Sequence, residues 1–194
     1  ILDPSTQEVR GTPKKLTGAT ETNRWPAISP DGTRIAYLAY TGPIKSGDAA
    51  LRVMGIDGQQ DREIIRMFML SVSAIDWLND DEVVVAGKIT QQGPQGLHAI
   101  STRSGNVRPI FLDPAALGHL AVSPDKRRVA FIYGLQNPRF YTVGVDGNDL
   151  RAVTDDLPGY WPSWSPDGRY LALLQLRRGI LAIDIETGER KQLV

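Results

Sequence analysis

His98 and His119 are the only imidazoles in a chain of 194 residues, and there is no cysteine. A serine or threonine nucleophile needs a base within hydrogen-bond reach, so hydrolytic chemistry of that kind would fall to one of these two. The Gly-x-Ser-x-Gly turn that lifts a nucleophilic serine out of a strand does not occur. Without cysteine there are no thiol nucleophiles, thiolate metal sites or disulfides. His98 lies inside an apolar, alternating run and His119 opens another, and both read as structural histidines. Asp31, Asp125 and Asp167 each follow a Ser-Pro pair. Their recurrence would suit a ring of metal ligands, but each is expected to close its own turn through side-chain bonds to nearby backbone. The pairs Asp80-Asp81 and Asp155-Asp156 read as solvated turn carboxylates, because calcium would need further oxygen ligands at set spacing. Lys126-Arg127-Arg128 and Arg177-Arg178 read as solvated hairpin tips, and no phosphate-cradling glycine loop is present. No catalytic residue, metal ligand or cofactor is therefore assigned.

Composition narrows the partners. Lysine plus arginine number 22 and aspartate plus glutamate 22, so the formal net charge is zero. A general nucleic-acid or membrane-surface binder would carry a basic excess. No apolar run is long enough to span a bilayer. The first residue is Ile1, not methionine, which fits a mature form or an excised piece.

The elements that carry these residues follow one repeating plan. Trp161-Pro162-Ser163-Trp164-Ser165-Pro166-Asp167-Gly168-Arg169-Tyr170-Leu171-Ala172-Leu173-Leu174 reads as two short strands joined by a tight turn. Proline fixes φ, aspartate bonds its own backbone, and glycine accepts positive φ. The unit recurs from Trp25 to Leu38, less perfectly from His119 to Ile132, and in worn form from Ala74 to Val85. The turn markers Pro30, Asn79, Pro124 and Pro166 are 49, 45 and 42 residues apart. That period, with β alternation and no helical pattern, is the signature of propeller blades. A second marker closes a third strand in each unit: Asp57-Gly58, Ser104-Gly105, Asp146-Gly147 and Thr187-Gly188. The fold expected is all-β, with each blade running A–turn–B–loop–C–turn–D.

Blades are expected at about 18–67, 68–112, 113–154 and 155–194, all in one propeller domain. Residues 1–17 match the C and D strands of a further half blade. Four blades and a half do not close a ring in the usual way, so the chain is expected to be part of a larger propeller. Its open edges would then invite pairing with another copy. Two residues before each turn marker stand Ile28, Trp77, Val122 and Trp164, and the two tryptophans are expected to be buried between blades. In strand B the matched positions are read as Ile35, Val84, Val129 and Leu171.

The Trp-Pro-Ser-Trp-Ser-Pro-Asp-Gly tract with Tyr-Leu-Ala-Leu at 161–173, and its counterpart at 25–37, resemble the repeat of the TolB-like, WD-repeat-like propellers. The resemblance covers nearly the whole chain and is weakest in the second unit. It implies a six- to eight-bladed β-propeller, often extracytoplasmic in bacteria, which suggests a periplasmic or cell-surface location here. In that family the repeat also serves as an accessory domain beside kinases, winged-helix regulators and prolyl-oligopeptidase-type hydrolases. The chain shows neither the α/β domain that precedes the propeller in the family nor a hydrolase domain.

Variable loops on a rigid scaffold are where recognition sits. The B–C loops and D–A connections share one rim. Its candidate interaction residues are Glu21, Arg24, Trp25, Tyr40, Lys88, His119, Tyr160, Trp161 and Arg177. Trp25 and Trp161 have a second reading, as packing residues at strand starts. Arg66-Met67-Phe68-Met69-Leu70 reads as a contact patch or as filler beneath a loop. The function expected is a non-enzymatic scaffold for a protein or peptide partner. The alternatives are an accessory propeller of a larger enzyme or sensor, and a small-ligand or carbohydrate sensor.

Overall fold

The computed structural model describes residues 12, 14–18, 22–40, 48–68, 74–114, 117–134, 139–154, 160–175 and 179–193. All regular structure among them is strand. Blade 1 comprises β1 (Thr22–Ile28), β2 (Arg34–Tyr40), β3 (Asp48–Gly55) and β4 (Arg62–Phe68). Blade 2 comprises β5 (Ile75–Trp77), β6 (Glu82–Lys88), β7 (Gln95–Ser101) and β8 (Val107–Leu112). Blade 3 comprises β9 (Leu117–Val122), β10 (Arg128–Tyr133), β11 (Arg139–Gly144) and β12 (Arg151–Ala152). Blade 4 comprises β13 (Tyr160–Trp164), β14 (Tyr170–Gln175), β15 (Gly179–Asp184) and β16 (Arg190–Gln192). Within each blade successive strands pair antiparallel. A single backbone pair, Phe68 with Lys88, joins blades 1 and 2 into one continuous sheet. This is β-propeller architecture.

The A–B turns show why the Ser-Pro-Asp-Gly sequence recurs. Asp31 accepts from the Ser29 hydroxyl (2.5 Å) and the Thr33 backbone N–H (2.9 Å). Asp125 does the same with Ser123 (2.6 Å) and Arg127 (3.1 Å), and Asp167 with Ser165 (2.5 Å) and Arg169 (3.0 Å). Each serine oxygen in turn accepts the backbone N–H that opens strand B, at 2.8–2.9 Å. The aspartates are therefore turn-closing groups, and the seryl hydroxyl above all holds each carboxyl below its ordinary pKa.

Blade 2 departs from the pattern by one residue. Its turn runs from Leu78 to Glu82, where the others run from Ser29 to Arg34, Ser123 to Arg128 and Ser165 to Tyr170. Register therefore places Val83, not Val84, opposite Trp77, as Ile35 lies opposite Ile28 and Val129 opposite Val122. The period of two carries every later residue of β6 to the other face. Both valines are nonetheless fully buried, because both faces of the blade are covered.

Three apolar clusters lie along the stack, the first built on Leu38, Leu51, Trp77 and Val85, the next on Leu97, Val129 and Phe131, and the third on Phe140, Leu171 and Ile183. Polar bonds repeat across the interfaces between blades. The Trp77 indole N–H donates to the Ala27 carbonyl (2.9 Å), and Trp164 donates to Ala121 (3.1 Å). Where blades 2 and 3 meet, Asp76 accepts the Val122 backbone N–H (2.8 Å). Trp77 is 1% exposed. Trp164, expected to match it, is only half-buried, because an open cleft lies beside its ring.

Residues 14–18 lie against the free face of blade 1, where Leu16 packs with Tyr37, Ala39 and Met54. The Lys14 ammonium donates to the Asp57 carbonyl (3.1 Å). The rest of the expected half blade, residues 1–11 and 13, lies outside the described residues.

Candidate binding rim

Strand A of each blade is the inner strand, and β1, β5, β9 and β13 adjoin in that order. In three of them the ladder slips where the strand begins. Partners jump from Arg24 to Ala27 in β1, from Gly118 to Leu120 in β9, and from Tyr160 to Ser163 in β13. Each slip is a β-bulge, which bends the strand and re-aims a side chain. The re-aimed residue stands five before the turn marker: Trp25, His119 and Trp161. Each adopts positive φ, at 50°, 34° and 50°. Bulky non-glycine residues rarely adopt this region, which costs about 1–3 kcal/mol and persists only where surroundings enforce it.

At the junction of blades 3 and 4 the rings of His119, Tyr160 and Trp161 meet. Their centroids are 5.6 Å apart for His119–Tyr160, 5.1 Å for His119–Trp161 and 5.6 Å for Tyr160–Trp161. Trp161 is nonetheless 56% exposed. Burial lowers the pKa of His119, which favours the neutral ring. On blade 1, Trp25 meets Tyr40 edge-on at 6.2 Å and lies beneath the Arg24 guanidinium at 5.6 Å.

The nine candidates thus divide. Arg24 with Trp25, and His119 with Tyr160 and Trp161, form two aromatic groups at strand starts. Tyr40 is a correction: at the end of β2 it is 2% exposed and belongs to the core, since both faces of β2 are covered. Lys88 ends β6, where it pairs with Phe68 and Gln95. Glu21 and Arg177 lie outside the described residues, as do most of the B–C loops other than 89–94. His98 is a core histidine whose Nε2–H donates to the Gly87 carbonyl (3.2 Å), and burial lowers its pKa. Met67 is buried filler within β4. Among the described residues no group of three histidine or carboxylate side chains is placed to hold a metal, and no helix is long and apolar enough to cross a membrane.

Sequence reading did not find the bulge. Its signal was a ring at the fifth position before the turn in three blades, with Ala74 in the fourth.

No protein-family model matches the chain. A Protein TolB homolog of Chlorobium luteolum is 29% identical over 150 residues, 73% of this chain and 31% of that protein. The crystal structure of TolB from Acinetobacter baumannii superposes with a TM-score of 0.77 at 18% identity, over 94% of this chain and 46% of that one. The repeat is similar to that of the TolB-like β-propellers. The TolB-like fold is not tied to one activity: a puromycin-hydrolysing peptidase of Mycobacterium tuberculosis superposes with a TM-score of 0.72 at 16% identity, over 93% of this chain and 30% of the peptidase. The chain spans about a third of its curated TolB relative's length and about half of the solved TolB's.

Proposed function

We propose that this chain is a non-enzymatic propeller scaffold whose A-strand rim binds a protein or peptide partner. The observation that carries this reading is Trp161, exposed on a strained bulge while braced by His119 and Tyr160. An indole held out at a backbone cost is the kind of rigid aromatic anchor that dominates interfaces. Arg24, exposed above Trp25, adds a cation that would orient an acidic or carbonyl-bearing segment. The chemistry favours a peptide with apolar or proline side chains, since flat rings without a surrounding carboxylate network suit those better than sugars. An extracytoplasmic location accords with this reading.

The test is capture from a peptide library displayed on phage, followed by titration of selected peptides against the wild type and Trp161→Ala. Loss of at least tenfold in affinity, with the thermal midpoint kept, supports the rim. Selected peptides that bind Trp161→Ala and Trp25→Ala as well as the wild type overturn it.

A second reading, an accessory propeller of a larger hydrolase, is favoured by the peptidase whose chain is only 30% covered by this fold. Docking of the rim against a catalytic domain would then protect Trp161 from oxidation in the full-length protein.

A further inference from the structure

The interface between blades 3 and 4 keeps the indole-to-carbonyl bond of blades 1 and 2 but lacks the arginine contacts found at the other interfaces. Between blades 1 and 2, the Arg34 guanidinium lies over the Trp77 ring at 5.2 Å and donates to the Asp80 carbonyl (2.7 Å). The D-strand arginines reach across too: Arg62 donates to the Thr102 carbonyl (2.7 Å) and Arg108 to the Val145 carbonyl (3.1 Å). By register the equivalents between blades 3 and 4 are Arg128 over Trp164, and Arg151 toward Ile185. Neither contact is made. In their place is a cleft of about 610 Å³, lined by Arg128, Trp164, Asp167 and Glu186 among others.

One residue accounts for the difference. Asp149 binds Arg128 twice, through its carboxylate (2.9 Å) and its backbone carbonyl (3.0 Å), and also takes Arg151 (2.6 Å). The matching position in blade 1 is Gln60, also at positive φ (55° against 58°). Gln60 carries no charge to pair with an arginine, and Arg34 reaches the Asp80 carbonyl of the next blade while also pairing with Asp31 of its own turn (3.3 Å), whereas Arg128 is held on its own blade by Asp149.

We propose that the cleft between blades 3 and 4 is a seat for an arginine side chain of a peptide or protein partner. Blade 1 shows what the seat accepts: a guanidinium flat on the indole, donating to the carbonyl of the turn residue below it. In blade 4 those parts are Trp164 and Asp167. Arg128 and Arg151 share the carboxylate of Asp149 and Arg169 pairs with Asp184, so with Asp125, Asp167 and Glu186 the cleft and its edges hold more carboxylates than guanidiniums. This seat lies at the A–B and C–D turns and stands independently of the aromatic rim.

The test uses the full chain labelled with nitrogen-15 and follows the Trp164 indole signal, identified with Trp164→Phe. N-acetyl-arginine amide should shift it saturably, and N-acetyl-lysine amide should bind at least fivefold more weakly, because an ammonium cannot lie flat on the ring. Asp149→Gln should weaken arginine binding about tenfold by freeing Arg128 to fill the seat, and Glu186→Gln should weaken it severalfold. Trp161→Ala should leave the titration unchanged, which separates this site from the rim. A non-saturating shift, equal binding of the lysine amide, or an arginine affinity unaltered in both Asp149→Gln and Glu186→Gln overturns the proposal.

Discussion

The two tryptophans that share a place before the turn differ because of what stands beside them. Trp77 is capped by Arg34 and sealed on all sides, so Trp77→Ala should cost about 3–5 kcal/mol in denaturant melts. Trp164 faces the cleft, and Trp164→Ala should cost roughly half as much; equal losses would show that the cleft is closed in solution. Trp161 carries a different ledger. Its ring is mostly outside, and its backbone sits where glycine is at ease. Trp161→Gly should therefore leave the thermal midpoint unchanged or raise it, even as binding is lost. A drop of several degrees would mean that the indole packs rather than presents. The turn aspartates set an acid limit. Their carboxyls titrate below the ordinary value in the folded protein, so the stability they add is present above about pH 4. It is lost as pH falls from there through the lowered folded values. Asp125→Asn should flatten that acid limb in pH-dependent melts and lower the midpoint at neutral pH, where the wild-type carboxylate contributes in full.

At the scale of strands and turns, much was written openly. Ser-Pro-Asp-Gly announced the A–B hairpins because each of its residues has a local job, and local jobs survive any context. The second blade was harder. Asn79-Asp80-Asp81 makes a turn one residue shorter, and a count anchored on Asn79 slides Val84 into the place that Val83 holds. The bulges were illegible for another reason. Trp25-Pro26 and Trp161-Pro162 look extended, since a residue before proline avoids helix, yet both tryptophans sit at positive φ where the ladder with strand B slips. Tyr40 looked like a loop residue because the end of β2 could not be seen to be covered. Asp76 is the clearest miss. It occupies a slot where the other blades carry Ala27, Ala121 and Ser163, and only the fold shows it accepting the Val122 and Trp77 backbone N–H groups (both 2.8 Å). Asp76→Ala should cost about 1–3 kcal/mol by orphaning a donor between blades 2 and 3. An unchanged midpoint would show that the pair of bonds is not made in solution.

For the whole molecule, stability is close to a sum of blades and the contacts between neighbours. Those contacts are uneven. Leu51, Leu97 and Phe140 are sealed at 0% exposure by the following blade, whereas their counterpart Ile180 in blade 4 is 38% exposed. Blade 4 also adjoins the cleft. Hydrogen exchange should therefore release the amides of β14 and β15 well before those of β6 and β7; the reverse order would contradict the packing. The one backbone pair between Phe68 and Lys88, with the Phe68 N–H donating to Ile89 (3.2 Å), makes blades 1 and 2 the exception to blade-by-blade independence. Under mechanical load that stitch becomes a stop. A chain drawn out from residue 193 would surrender blade 4 and then blade 3 as separate steps of similar contour length. The last event would be a single longer rip at higher force, since neither of the two remaining blades can let go without tearing the sheet they share.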